Sequence, residues 1–63
     1  MATTAAASFR ATWHIGRPVQ EVAPPHRKGT IALVRGTGFN ANILVRFTGR
    51  PPVTFRPAQL TPL

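Results

Sequence analysis

From residue 16 onward the chain never runs twelve residues without a glycine or a proline. Proline inside a helix removes a backbone hydrogen bond and clashes with the preceding turn. Glycine leaves the backbone too free to hold a helical conformation cheaply. The interruptions return at intervals of about 8–12 residues, the spacing of short strands joined by turns. Between them Val, Ile, Thr and Phe predominate, residues that fit a pleated, half-buried surface. The sequence therefore predicts an all-β chain with no helix.

Five strands can be placed. The first covers residues 17–23, preceded by an extended lead-in at residues 9–15. Pro24-Pro25 ends it and opens a basic loop, His26-Arg27-Lys28-Gly29. Residues 30–35 form the second strand and residues 36–40 a turn. The third, residues 42–48, alternates most cleanly, with Ile43, Val45 and Phe47 on one face. Gly49-Arg50-Pro51-Pro52 suits a tight hairpin into a fourth strand at residues 53–56. Residues 57–60 read as one turn of 3₁₀ helix, and residues 61–63 as a short closing strand. Closing the sheet into a barrel would remove exposed strand edges.

Sixty-three residues make one small domain, expected as a flexible tail at residues 1–12 and a barrel at residues 13–63. A chain of this size buries only about 60% of the surface its unfolded form exposes. There is no cysteine and a single acid, Glu21, so neither a disulfide nor a protein-only metal cage can supply stability. A tight core or self-association must do so, and homo-oligomers fit that need.

Eight basic residues against one acid give a net charge of +7. Seven of the eight are arginine, whose planar fork pairs with phosphate or carboxylate through two parallel hydrogen bonds. Clustered positive charge releases counterions from nucleic acid and so favours polyanionic partners. No apolar run approaches the length of a membrane span, and a membrane partner is not expected. The first thirteen residues, rich in Ala, Thr and Ser and free of acids, share the composition of an organelle presequence. They read instead as a tail on a cytoplasmic chain, because cleavage would leave too little to fold.

The run from Gly16-x-x-Val19 through Gly29-Thr30-Ile31 and Ile43-Leu44-Val45-Arg46-Phe47 to Phe55-Arg56-Pro57-Ala58-Gln59-Leu60 resembles the SH3-like barrel, including its KOW-type variants. It spans residues 16–63. The resemblance implies five short strands with one 3₁₀ turn before the last. Similar runs close the small barrels of subunits that contact ferredoxin. Within this class the plasmid-borne type II dihydrofolate reductases carry a Gly-x-x-Val opening, a Gly-x-Ile second strand and a Val-Gln-Ile-Tyr-Pro pore segment. Gly16, Val19, Gly29 and Ile31 keep the first spacings, and Val53-Thr54-Phe55-Arg56-Pro57 stands where the pore segment would be. Thr54 and Arg56 replace the glutamine and tyrosine that bind folate and nicotinamide there, and Glu21 falls where a pore lysine lies. The likeness extends to architecture and leaves out the chemistry.

Enzyme templates find no footing. One acid cannot make a carboxylate pair, and a serine triad would have to recruit Ser8 from the tail. Gly36-Thr37-Gly38 lacks the helix that must follow a dinucleotide fingerprint. No cofactor is expected. His14 and His26 read as exposed.

The basic residues remain as a binding surface. Arg27 and Lys28 share one loop, Arg50 occupies another, and Arg46 and Arg56 point outward from adjacent strands. If Arg46 lies opposite about Thr54, the two guanidiniums approach each other on one face. Arg35 depends on its strand: strict alternation turns it inward, and a bulge turns it outward. Phe47 and Phe55 belong to the core by parity. Trp13 reads as a cap on the barrel, and Phe39, in a turn, as an exposed stacking or interface residue. The sequence points to a small basic module contacting nucleic-acid phosphates through Arg27, Lys28, Arg46, Arg50 and Arg56, with Phe39 as an added stacking contact. A homo-oligomeric reductase-like barrel holding NADPH or folate in a pore is one alternative. A subunit docking on an acidic protein surface is another.

Overall fold

The computed structural model describes residues 5–63, with side chains from residue 8 onward. Five antiparallel strands form one sheet: β1 (Pro18–Glu21), β2 (Lys28–Arg35), β3 (Asn42–Arg46), β4 (Val53–Phe55) and β5 (Leu60–Pro62). Their order across the sheet is β4-β3-β2-β1-β5. The first four strands follow one another as a meander. A 3₁₀ turn at Pro57–Gln59 then carries the chain to the far side, where β5 pairs with β1 through Val19–Pro62, Gln20–Thr61 and Glu21–Leu60. The all-β class, five strands and 3₁₀ turn before the last strand are as the sequence predicts. The two edges are three-residue strands, with Pro51, Pro52 and Pro57 flanking β4 and Pro62 inside β5. Short edges interrupted by proline offer few free N–H groups to a stray strand.

Alternation along the strands builds the core. Val19, Ile31, Ile43, Val45, Phe47 and Leu60 are buried, and Phe9, Trp13, Val34 and Phe55 pack against them. The rings of Phe47 and Phe55 meet edge to face, centroids 6.1 Å apart. Gly29 lies close against β3, and no side chain fits there: a Cβ would lie 2.6 Å from a Val45 methyl and 2.8 Å from the Arg46 carbonyl oxygen.

The N-terminal segment corrects the expectation of an extended lead-in and of a chain without helix. Ala5–Thr12 is an α-helix, α1. The proline and glycine spacing that rules out helices begins only at Gly16, and AAASFRAT opens with the best helix former, alanine. Eight residues are too few for a helix stable by itself. Docking supplies the rest: Phe9 and Trp13, one turn apart, both pack on the core with ring centroids 6.4 Å apart. Residues 1–4 of the expected tail lie outside the described residues.

Trp13 is the single tryptophan, which makes this docking measurable. Its fluorescence and the far-ultraviolet signal of the sheet are expected to change in one coincident thermal transition. A tryptophan transition well below that of the sheet would show that α1 detaches independently.

Arg17, just before β1, holds the end of α1 and Leu63, donating to the Thr12 carbonyl oxygen and to the Leu63 carbonyl oxygen, each at 3.3 Å. No helix among the described residues is long and apolar enough to cross a membrane.

Candidate nucleic-acid interface

The register of β2, β3 and β4 decides where the arginines stand. Between Ile31 and Leu33 the β2–β3 pairing slips by one residue. This bulge resets the parity of the strand, so that Ile31 and Val34 turn inward while Leu33 and Arg35 turn outward. The apolar run Ile31-Ala32-Leu33-Val34 carries the signal in the sequence, since no strict alternation accommodates it. Arg35, paired with Asn42, thereby joins the exposed face.

On the other side of β3, Leu44 lies opposite Thr54, and Val45 opposite Val53. The expected pairing of Arg46 with about Thr54 is two residues off. Pro51 and Pro52 carry no N–H to donate, so pairing begins only at Val53, and residues 47–52 form a longer connection than a tight hairpin. A shift of two keeps every residue on its face but moves Arg46 away from Arg56. Arg56 follows Phe55, the partner of Ile43, and so falls beside Asn42. Positions 42 and 46 are about 13 Å apart along the strand. The two guanidiniums share a face without sharing a site.

Three rows cross the outward face as a result. At one end Arg46 pairs with Thr30, with Lys28 two residues away on β2 and Arg50 in the adjoining loop, all exposed. In the middle are Leu33, Leu44 and Thr54. At the other end Arg35 pairs with Asn42, and Arg56, the residue just past β4, follows Phe55 on the other side of β3. The Arg56 guanidinium donates to the Asn40 side-chain oxygen at 2.9 Å. Its backbone N–H donates to the Gln59 side-chain oxygen at 2.8 Å. The first bond holds the guanidinium and the second the backbone, and other guanidinium N–H groups have no hydrogen-bond partner among the described residues. Asn40 belongs to a 3₁₀ turn at Gly38–Asn40, and within that turn Phe39 is 90% exposed. Nothing in the sequence singles out Asn40, whose role arises only when β3 and β4 pair.

Arg27 stands apart from both groups. Its guanidinium lies 3.9 Å from the Glu21 carboxylate, the single salt bridge among the described residues. Lys28, Arg35, Arg46, Arg50 and Arg56 have no acidic partner among the described residues. Glu21 sits on β1, away from the outward rows of β2, β3 and β4. His14 and His26 are exposed, with Nδ1 atoms 3.2 Å from the Ala11 carbonyl oxygen and 3.3 Å from that of Glu21. A shallow cleft of about 390 Å³ opens between the end of α1 and β2, with Arg10, Trp13, His14, Val34 and Thr37 in its walls. Among the described residues no cluster of His, Asp or Glu could hold a metal ion. No family model, curated protein or solved structure matches the chain.

Proposed function

We propose that this chain is a small nucleic-acid-binding module of SH3-like architecture that grips backbone phosphates with the outward face of β2, β3 and β4. The observation that carries the reading is the pairing pattern of the charges. The one acid is engaged by Arg27, while five basic side chains stand exposed at the two ends of a single face without an acidic partner. Like charges gathered on one face repel each other, and a polyanion laid across the face removes that repulsion. Guanidinium–phosphate pairs are charge-assisted and directional, and Arg56 is already oriented by Asn40. Phosphate contacts position a nucleic acid without reading its sequence, so binding should be broad.

A titration of a labelled oligonucleotide at several salt concentrations tests this. Engaging three to five of these cations gives a slope of log affinity against log salt of roughly −2 to −4.5. Flat salt dependence, or no binding at low salt, refutes the proposal. The exposed Leu33, 42% accessible and level with Leu44 between the basic rows, favours an acidic protein surface as the second reading. Capture of an acidic protein together with failure to bind any nucleic acid would select it.

A further inference from the structure

The basic row at the Arg35 end differs from the other in one respect: the turn that supplies Asn40 to Arg56 also carries an aromatic residue, Phe39. Phe39 is the most exposed large apolar side chain among the described residues, at 90% accessible. Its turn is built to hold it out. Gly38 adopts φ +75, a conformation that disfavours any side chain. The Ala41 N–H closes the turn onto the Gly38 carbonyl oxygen at 3.1 Å, and Ala41 itself is buried. Asn40, the next residue along, accepts from the Arg56 guanidinium. The ring is therefore mounted on a short, anchored turn whose neighbour is bonded to one of the two arginines of the row.

Arg35 and Arg56 flank Asn42 across two strand spacings, which places their backbones about 10 Å apart. Long arginine side chains at that separation can reach successive phosphates of one strand. An aromatic ring beside such a pair meets the face of a base. Surfaces that bind single strands combine a basic track with aromatic platforms, because every base has a π-face. Bases within a duplex are stacked on one another and present no face to a side chain.

We propose that the Arg35–Asn42–Arg56 row and Phe39 form a subsite for single-stranded nucleic acid, with one unstacked base on Phe39 and its flanking phosphates on Arg35 and Arg56. The inference rests on the phosphate-binding reading above and narrows it from nucleic acid in general to unpaired strands. Arg46, Lys28 and Arg50 have no aromatic companion in their row, and serve as the electrostatic continuation of the same track.

The test is the ratio of affinities of the full chain for a labelled twelve-nucleotide oligothymidine and for a twelve-base-pair duplex at equal salt. Phe39→Leu keeps an apolar side chain and removes the ring face, and Phe39→Tyr keeps the ring. The ratio of single-strand to duplex affinity is expected to fall roughly 5- to 100-fold in Phe39→Leu and to stay near the parent value in Phe39→Tyr. An unchanged ratio in Phe39→Leu, or an equal fall in both variants, overturns the stacking subsite while leaving phosphate binding standing. If neither nucleic acid binds at low salt, the phosphate-binding reading fails and this inference fails with it. Thermal unfolding of each variant near the parent midpoint confirms that the comparison is made on folded protein, as the exposure of Phe39 leads one to expect.

Discussion

Replacing Gly29 with alanine is expected to lower the midpoint of thermal unfolding by about 10–20 °C. The added Cβ would stand 2.6 Å from a Val45 methyl, 2.8 Å from the Arg46 carbonyl oxygen and 3.0 Å from the Phe47 ring. The methyl and the ring can move a little, but the carbonyl is part of the β2–β3 ladder and moves only with the strand. Overpacking of this kind costs about 2–3 kcal/mol. A domain of this length has only about 3–9 kcal/mol of total stability, so the substitution removes a large share of it. Gly38→Ala supplies the contrast, because that position meets no atom within 4 Å but has φ +75. Its cost is conformational, about 1 kcal/mol, or roughly 5 °C. Circular dichroism on both variants separates the two causes. A Gly29→Ala midpoint within about 2 °C of the parent would contradict the close approach of the Val45 methyl and the Arg46 carbonyl to this glycine.

Gly29 also shows what kind of information the sequence holds. Its spacing to Ile31 is visible in the chain, but the reason for a glycine there is the close approach of the Val45 methyl and the Arg46 carbonyl of β3. The parity of Ile43, Val45 and Phe47 is local and could be read directly, and all three are buried. The 3₁₀ turn could be placed from Pro57 and the apolar Leu60 that follows it. The helix Ala5–Thr12 could not, because eight residues of moderate propensity acquire helical structure by docking Phe9 and Trp13, a tertiary cause.

The proposed binding face was legible to the same degree. Exposure of Arg46, Arg50 and Arg56 follows from parity and from loop position. Their grouping does not, since it depends on register, and register turns on the two prolines that delay the start of β4 and on one extra residue in β2. That bulge turns Arg35, at the Arg56 end of β2, onto the outward face, and the proline-delayed register carries Arg46 to the opposite end. The pairing of Arg27 with Glu21 was hidden for another reason. Five residues separate them in the chain, and a turn through Pro24 and Pro25 folds the side chains together, with Glu21 N–H donating to the Arg27 carbonyl oxygen at 2.9 Å.

Neutralising Arg35 and Arg56 together is expected to weaken oligonucleotide binding by about 10- to 100-fold near 0.1 M salt. Each phosphate-binding cation that is neutralised weakens binding by up to about tenfold at that concentration and flattens the salt slope by about 0.7–0.9. Arg27→Gln should change affinity by about twofold or less, because its charge already faces the Glu21 carboxylate at 3.9 Å. Sequence alone places Arg27 and Arg56 together in the basic set and leaves Arg35 undecided, so the experiment sets geometry against composition. Glutamine keeps much of the arginine stem, and both Arg35 and Arg56 are exposed, so folding should survive. Loss of the Asn40 bond in Arg56→Gln is checked by thermal unfolding. Neutralising Lys28, Arg46 and Arg50 should flatten the slope further while leaving the Phe39-dependent preference for single strands in place. Net charge falls by two units in Arg35→Gln/Arg56→Gln and also in a double variant neutralising Arg10 and Arg27, which lie outside the proposed face. Equal losses in those two double variants would show that total charge drives binding, and would remove the outward face of β2, β3 and β4 as a site.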